Sequence, residues 1–204
     1  MPQIIDYAIV LQQMRSFGMK CVYYNSAAFA FLPEMTTRTV AWIGPADSTI
    51  RPEALQFTRA IRQPYCQTLA KMAADFWQLH LPGPIWVAPK SHWAHELQHG
   101  GRNWMAGALS AMQIDPAALA DKTHASAIAF DPQEKDLFCT FAQALLENLI
   151  GSDFAILSPN FPLICTLHHH KQLWWTTPDA HLLEQADVIA KPYLYNANDI
   201  ETGV

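Results

Sequence analysis

Two groups of histidines are the residues in this chain whose types and spacing could do chemistry. The first is His95-Glu96-Leu97-Gln98-His99, two imidazoles four residues apart with a carboxylate beside one of them. Residues four apart on a helix share a face, so both rings can reach one zinc ion. The glutamate would then lie beside the metal-bound water and could take its proton. His92 extends the same face, because His92, His95 and His99 fall at i, i+3 and i+7. The second group is His168-His169-His170, which ends an apolar run from Leu163. Strand alternation would put His168 and His170 on one face and Cys165, Leu167 and His169 on the other. H-x-H on a strand can offer two imidazoles to one metal.

Over five residues the first group resembles the active-site helix of the zincin metallopeptidases. The resemblance implies zinc held by His95 and His99, with Glu96 as general base. A third ligand would come from His92, His124 or the 168–170 segment, or from a carboxylate such as Glu134 or Glu147. Pro89 upstream and Gly100-Gly101 directly after His99 limit this helix to about two turns. The longer metzincin pattern would need a glycine and a histidine where Arg102 and Met105 stand. A thiol enzyme pairing Cys165 with His169 is disfavoured, since residues four apart on a strand lie roughly 13 Å apart. Neither a Gly-rich phosphate loop nor a G-x-S-x-G elbow is present.

Tryptophan is the other unusual feature, with seven residues in 204. Trp93 and Trp104 flank the 92–99 helix and would give apolar walls to any pocket there. Trp174 and Trp175 are neighbours on a predicted strand, so they face opposite sides. Trp is favoured where a large flat side chain is desolvated on binding. These features point to a non-catalytic binding or accessory module with a Trp- and His-lined pocket or surface. The alternative is a zinc-dependent hydrolase built on residues 95–99, for which zinc is the implied cofactor.

Composition narrows the setting. Half of the residues are hydrophobic, 15% are charged and the net charge is −5, which excludes a disordered chain. Basic residues outnumber acidic ones nine to six up to residue 102, and acidic residues outnumber basic ones twelve to four beyond it. No basic cluster exists to displace counterions, so nucleic acid is not an expected partner. No apolar run is long enough to span a bilayer, and the first residues do not read as a secretory leader. The four cysteines are scattered among apolar residues, as buried free thiols in a reducing cytoplasm would be. A protein partner or a homo-oligomer is left open.

The elements that must position these residues read as one α+β domain over 1–190, with a tail at 191–204. A mostly antiparallel central sheet carries helices packed on it. Helical spacing marks 6–17, 52–62, 68–79, 91–99, 103–112, 116–120, 131–150 and 179–186. Strands are expected at 21–24, 27–32, 39–43, 85–88, 126–130, 153–157, 163–169 and 172–177. A weak echo between about 20–120 and 121–190 suggests an internal duplication.

Overall fold

The computed structural model describes residues 1–24, 27–31, 39–45, 48, 57–61, 63–99, 103–120 and 126–194. Its strands are β1 (Gln3–Asp6), β2 (Lys20–Tyr24), β3 (Ala27–Phe31), β4 (Thr39–Pro45), β5 (Phe57–Ile61), β6 (Ile85–Pro89), β7 (Ser126–Phe130), β8 (Phe154–Leu157), β9 (Ile164–His168) and β10 (Gln172–Thr177). The helices are α1 (Tyr7–Ser16), α2 (Tyr65–His80), α3 (Trp93–His99), α4 (Trp104–Ala111), α5 (Pro116–Leu119), α6 (Lys135–Asn148) and α7 (Ala180–Ala190). Eight strands form one sheet in the order β1-β7-β6-β8-β9-β10-β4-β5, and β2 and β3 form a separate hairpin. Every pairing in the large sheet is antiparallel except β4 with β5. The chain is thus an α+β protein with a mostly antiparallel sheet and helices packed on it.

Period-two alternation divides the strand residues between two cores. Ile85, Val87, Ile156, Cys165, Leu167 and Trp175 face the larger core, which α2, α6 and α7 cover. On α6, Phe138, Phe141, Ala142, Leu145 and Leu146 make a continuous apolar stripe. Trp77 meets Phe138 edge-on, with ring centroids 5.4 Å apart. Trp86, Ala88, Ala155, Leu157 and Ile164 face the smaller core, closed by Tyr7, Val10, Leu11 and Met14 of α1.

Local chemistry fixes several ends. Asp6 caps α1 by accepting from the Ala8 amide at 2.8 Å. Gly18, with φ of 76°, ends it in a Schellman motif: its N–H reaches the Arg15 carbonyl and the Met19 N–H reaches that of Met14. Asp115 and Asp179 cap α5 and α7 in the same way as Asp6.

Two expectations fail within the described residues. Residues 57–61, expected toward the end of the helix over 52–62, form edge strand β5; residues 52–56 and 62 of that expected helix lie outside the described residues. Pairing with β4, burial of Ile61 and the Arg59–Asp187 ion pair at 2.5 Å override local helix preference there. Ile150, expected as the last residue of the helix over 131–150, is exposed because the helix ends at Asn148. Strand β1, unexpected from sequence, adds an edge next to β7. Of the expected tail, 191–193 form a 3-10 turn and Leu194 bridges to Ile61; residues 195–204 lie outside the described set.

Candidate functional site

Strand register brings four polar residues into one row at one end of the sheet. Pro89 pairs with Phe154, and Phe154 with Leu167, so the next residues outward, Lys90, Asp153 and His168, follow one another across three strands. His168 pairs in turn with Gln172 across the β9–β10 hairpin. The Lys90 amide donates to the Asp153 carbonyl at 2.8 Å, which extends the ladder by one rung. These positions alternate with the larger-core residues and therefore share the face that carries Trp174.

His169, His170 and Lys171 make the hairpin turn, and Lys171 closes it in the left-handed region with φ of 58°. A three-residue hairpin loop needs such a residue to return the chain in register. The turn overrides the alternation expected for His169. Instead of facing away, its ring stacks on that of His168 with centroids 4.4 Å apart, and His170 lies 4.2 Å from His169. Trp174 stacks on His168 from the strand at 4.2 Å. One nitrogen from each of the three histidines can be chosen so that all lie within 4.8 Å of one another.

Asp153 organises this turn. Its Oδ1 accepts from the His169 amide at 3.1 Å and contacts His169 Nδ1 at 2.9 Å. His168 Nδ1 accepts from the His170 amide at 3.1 Å, so its proton belongs on Nε2, which lies 4.0 Å from Asp153 Oδ1. Burial lowers the His168 pKa to about 4; Asp153 pulls it upward, while His169, His170 and Lys90 push it down.

A cavity of about 250 Å³ opens beside the row, lined by Lys90, Ser91, Gly151, Ser152, Asp153 and His169. Lys90 is only partly covered as a residue, yet burial lowers its ammonium pKa, with Asp153 pulling the other way. Among the described residues its side chain makes no hydrogen bond and no ion pair within 4.0 Å. Two of the lining serines bond Glu96, a buried carboxylate at 4% exposure. Its Oε1 accepts from Ser91 Oγ at 2.9 Å and from Ser152 Oγ, and contacts His95 Nδ1 at 3.2 Å.

The two histidine groups thus approach one another through Glu96, Ser152 and Asp153. His95 is about half exposed, with its ring turned back onto Glu96. His92 caps α3, its carbonyl accepting from the His95 and Glu96 amides. The side chain of His99 and all of His124 lie outside the described residues. Among the described residues, the only metal-compatible cluster is His168, His169 and His170. Of the four tryptophans singled out, Trp174 reaches this site. Trp93 is buried against Phe154 and donates to the Ser126 carbonyl at 2.8 Å. Trp175 is buried against Phe76, and half-buried Trp104 packs on the larger core. Ser91, where the helix over 91–99 is expected to begin, lies before α3 and gives its hydroxyl to Glu96.

Lys90, Ser152 and Asp153 were not distinguished by sequence. The available signal was slight: each stands directly beside the end of an apolar strand, where a polar residue is ordinary. Cys165, Cys66 and Cys139 are free thiols whose pKa values burial pushes upward. No family model, curated protein or solved structure matches the chain.

Proposed function

We propose that the chain is a non-catalytic binding module for a small acid, a molecule bearing a carboxylate or phosphate group, held in the strand-end cavity. The observation that carries this reading is Lys90, a cation lining a cavity with no partner for its ammonium. An unpaired ammonium withdrawn from water is costly, and a ligand anion relieves that cost. Neither neighbouring carboxylate reaches the ammonium, and Asp153 offsets only part of the cost of its burial. Asp153 Oδ1 is engaged by His169, and Glu96 by two serines and His95. A cavity of about 250 Å³ suits a small molecule rather than a chain segment. The free thiols of Cys66, Cys139 and Cys165 accord with work in a reducing cytoplasm. No described helix is long and apolar enough to cross a membrane.

Calorimetric titration with acetate, malonate and inorganic phosphate, with acetamide as the neutral control, tests the reading. Saturable binding of at least one acid, absent with acetamide and lost in Lys90→Met, supports it. Equal response to acetamide, no binding of any of the acids, or unchanged binding in Lys90→Met overturns it.

A further inference from the structure

We propose that the β9–β10 turn binds a divalent transition-metal ion of the zinc type through one nitrogen each of His168, His169 and His170. The inference rests on reading the sheet end as a binding site, but it does not require Lys90.

Three features of the turn support it. First, the three donor nitrogens already lie within 4.8 Å of one another. Zinc–nitrogen bonds of about 2.0–2.1 Å in a tetrahedral arrangement bring such atoms to about 3.4 Å, so the remaining approach is short. Stacked rings do not aim at a common point, and the adjustment must come from side-chain rotation. His170 is exposed and free to swing, whereas His168 is fixed between Trp174 and the turn.

Second, one ligand is already held in the way a metal-bound histidine requires. Asp153 holds Nδ1 of His169, which leaves Nε2 for an ion. A carboxylate on the far nitrogen orients a ligating imidazole and raises its basicity. His168 Nδ1 accepts from the His170 amide, so its proton is on Nε2; His168 therefore ligates through Nδ1 in place of that amide, with its Nε2–H toward Asp153 Oδ1 at 4.0 Å.

Third, the donor set is selective. Three imidazoles suit zinc, copper or nickel and not calcium or magnesium, which prefer oxygen. Three protein donors leave a tetrahedral ion one open position. Asp153 is a positioning residue in this arrangement, acting through His169.

Zinc titration of untagged full-length protein in a buffer without carboxylate or phosphate, followed by elemental analysis after desalting, tests the proposal. One zinc per chain is expected, with affinity reduced at least about a hundredfold in His170→Ala. His170 is exposed on the turn, so this variant retains the fold even if a change at buried His168 does not. His95→Ala and Lys90→Met should bind zinc as the parent does, which separates this proposal from the acid-binding reading. Cobalt substitution should give the visible absorption of a tetrahedral nitrogen site, weakened in His170→Ala. No bound zinc, or zinc binding unaffected by His170→Ala and by His169→Ala, overturns the assignment.

Discussion

Helix α3 with its cap and the β9–β10 turn each carry three histidines, and the two regions use them differently. At α3 the buried polar group is the carboxylate: Glu96 collects two serine hydroxyls and His95, while His95 remains about half exposed. At the turn the buried polar group is an imidazole, since His168 lies inside, stacked on Trp174, with His169 tied to Asp153. Spacing along a chain selects a shared face, but burial and partners decide which member of a motif does the holding. In α3 the glutamate ties the helix to the loop before β8. In the turn the three imidazoles are stacked side by side, with one nitrogen of each within 4.8 Å of the others.

Removing Glu96 should have the largest effect on either region. Glu96→Ala leaves two inward hydroxyls without an acceptor and opens a void beside them. Loss of about 3–4 kcal/mol in unfolding free energy is expected, read by urea denaturation. Glu96→Gln keeps the volume and one acceptor oxygen and should lose less than half as much. If Glu96→Ala were near neutral, the carboxylate would not be the organising group of α3.

Next in size is the turn itself. His168→Ala removes a stacked ring and the acceptor for the His170 amide, for an expected loss of about 2 kcal/mol. His170→Ala, on the exposed side, should change stability by less than about 0.5 kcal/mol while abolishing the metal affinity proposed above. A large stability loss with His170→Ala would show that the turn is held by all three rings rather than by His168 and Asp153.

How much of this was legible beforehand follows from where each signal resides. The α6 stripe, the β8–β9–β10 meander and the α1 ends depend on residues close in sequence, such as Asp6 with Ala8 and Gly18 with Arg15, and they can be read directly. The H-E-x-x-H and triple-histidine segments were also visible as residues. Their relation was not, because Lys90 and Asp153 become neighbours only when β6 pairs with β8. No local pattern announces that pairing. The inward turn of Glu96 toward Ser152 is hidden for the same reason, since 56 residues separate them. Strand β5 was misread because its pairing with β4 and the Arg59–Asp187 contact are likewise long-range.

A polar node outside both regions supplies a calibrating control. Asp75 on α2 accepts from Lys71 at 2.6 Å and from Lys135 of α6 at 2.7 Å. Burial alone would raise its carboxyl, but hydrogen bonds from Lys135 and Lys71 outweigh it and hold the pKa below the usual 3.8. A carboxyl with a lowered folded-state pKa contributes stability that is fully present above the unfolded value. That stability is lost as pH falls through the folded value, because the unfolded chain takes up the proton first. Asp75→Asn should therefore cost about 1 kcal/mol near neutrality and flatten the stability profile below about pH 4. Salt should weaken this contribution more than that of Glu96, because Lys71 is about half exposed while Glu96 is enclosed.

The difference between the two regions is tested most finely at His95. His95 and His168 are the same residue type, and each contacts a carboxylate, Glu96 at 3.2 Å and Asp153 at 4.0 Å. By distance alone His95 has the better contact, and a distance-based argument would make it the more important residue. Its side chain is 45% exposed against 6% for His168, however, so water can replace most of what His95 offers. His95→Ala should accordingly cost less than about 1 kcal/mol, less than half the loss for His168→Ala, in paired denaturation curves. A reversed order would mean that contact with the buried carboxylate, rather than enclosure of the ring, governs both regions. The assignment of α3 as held by Glu96 and its serines would then have to include His95 as an equal partner.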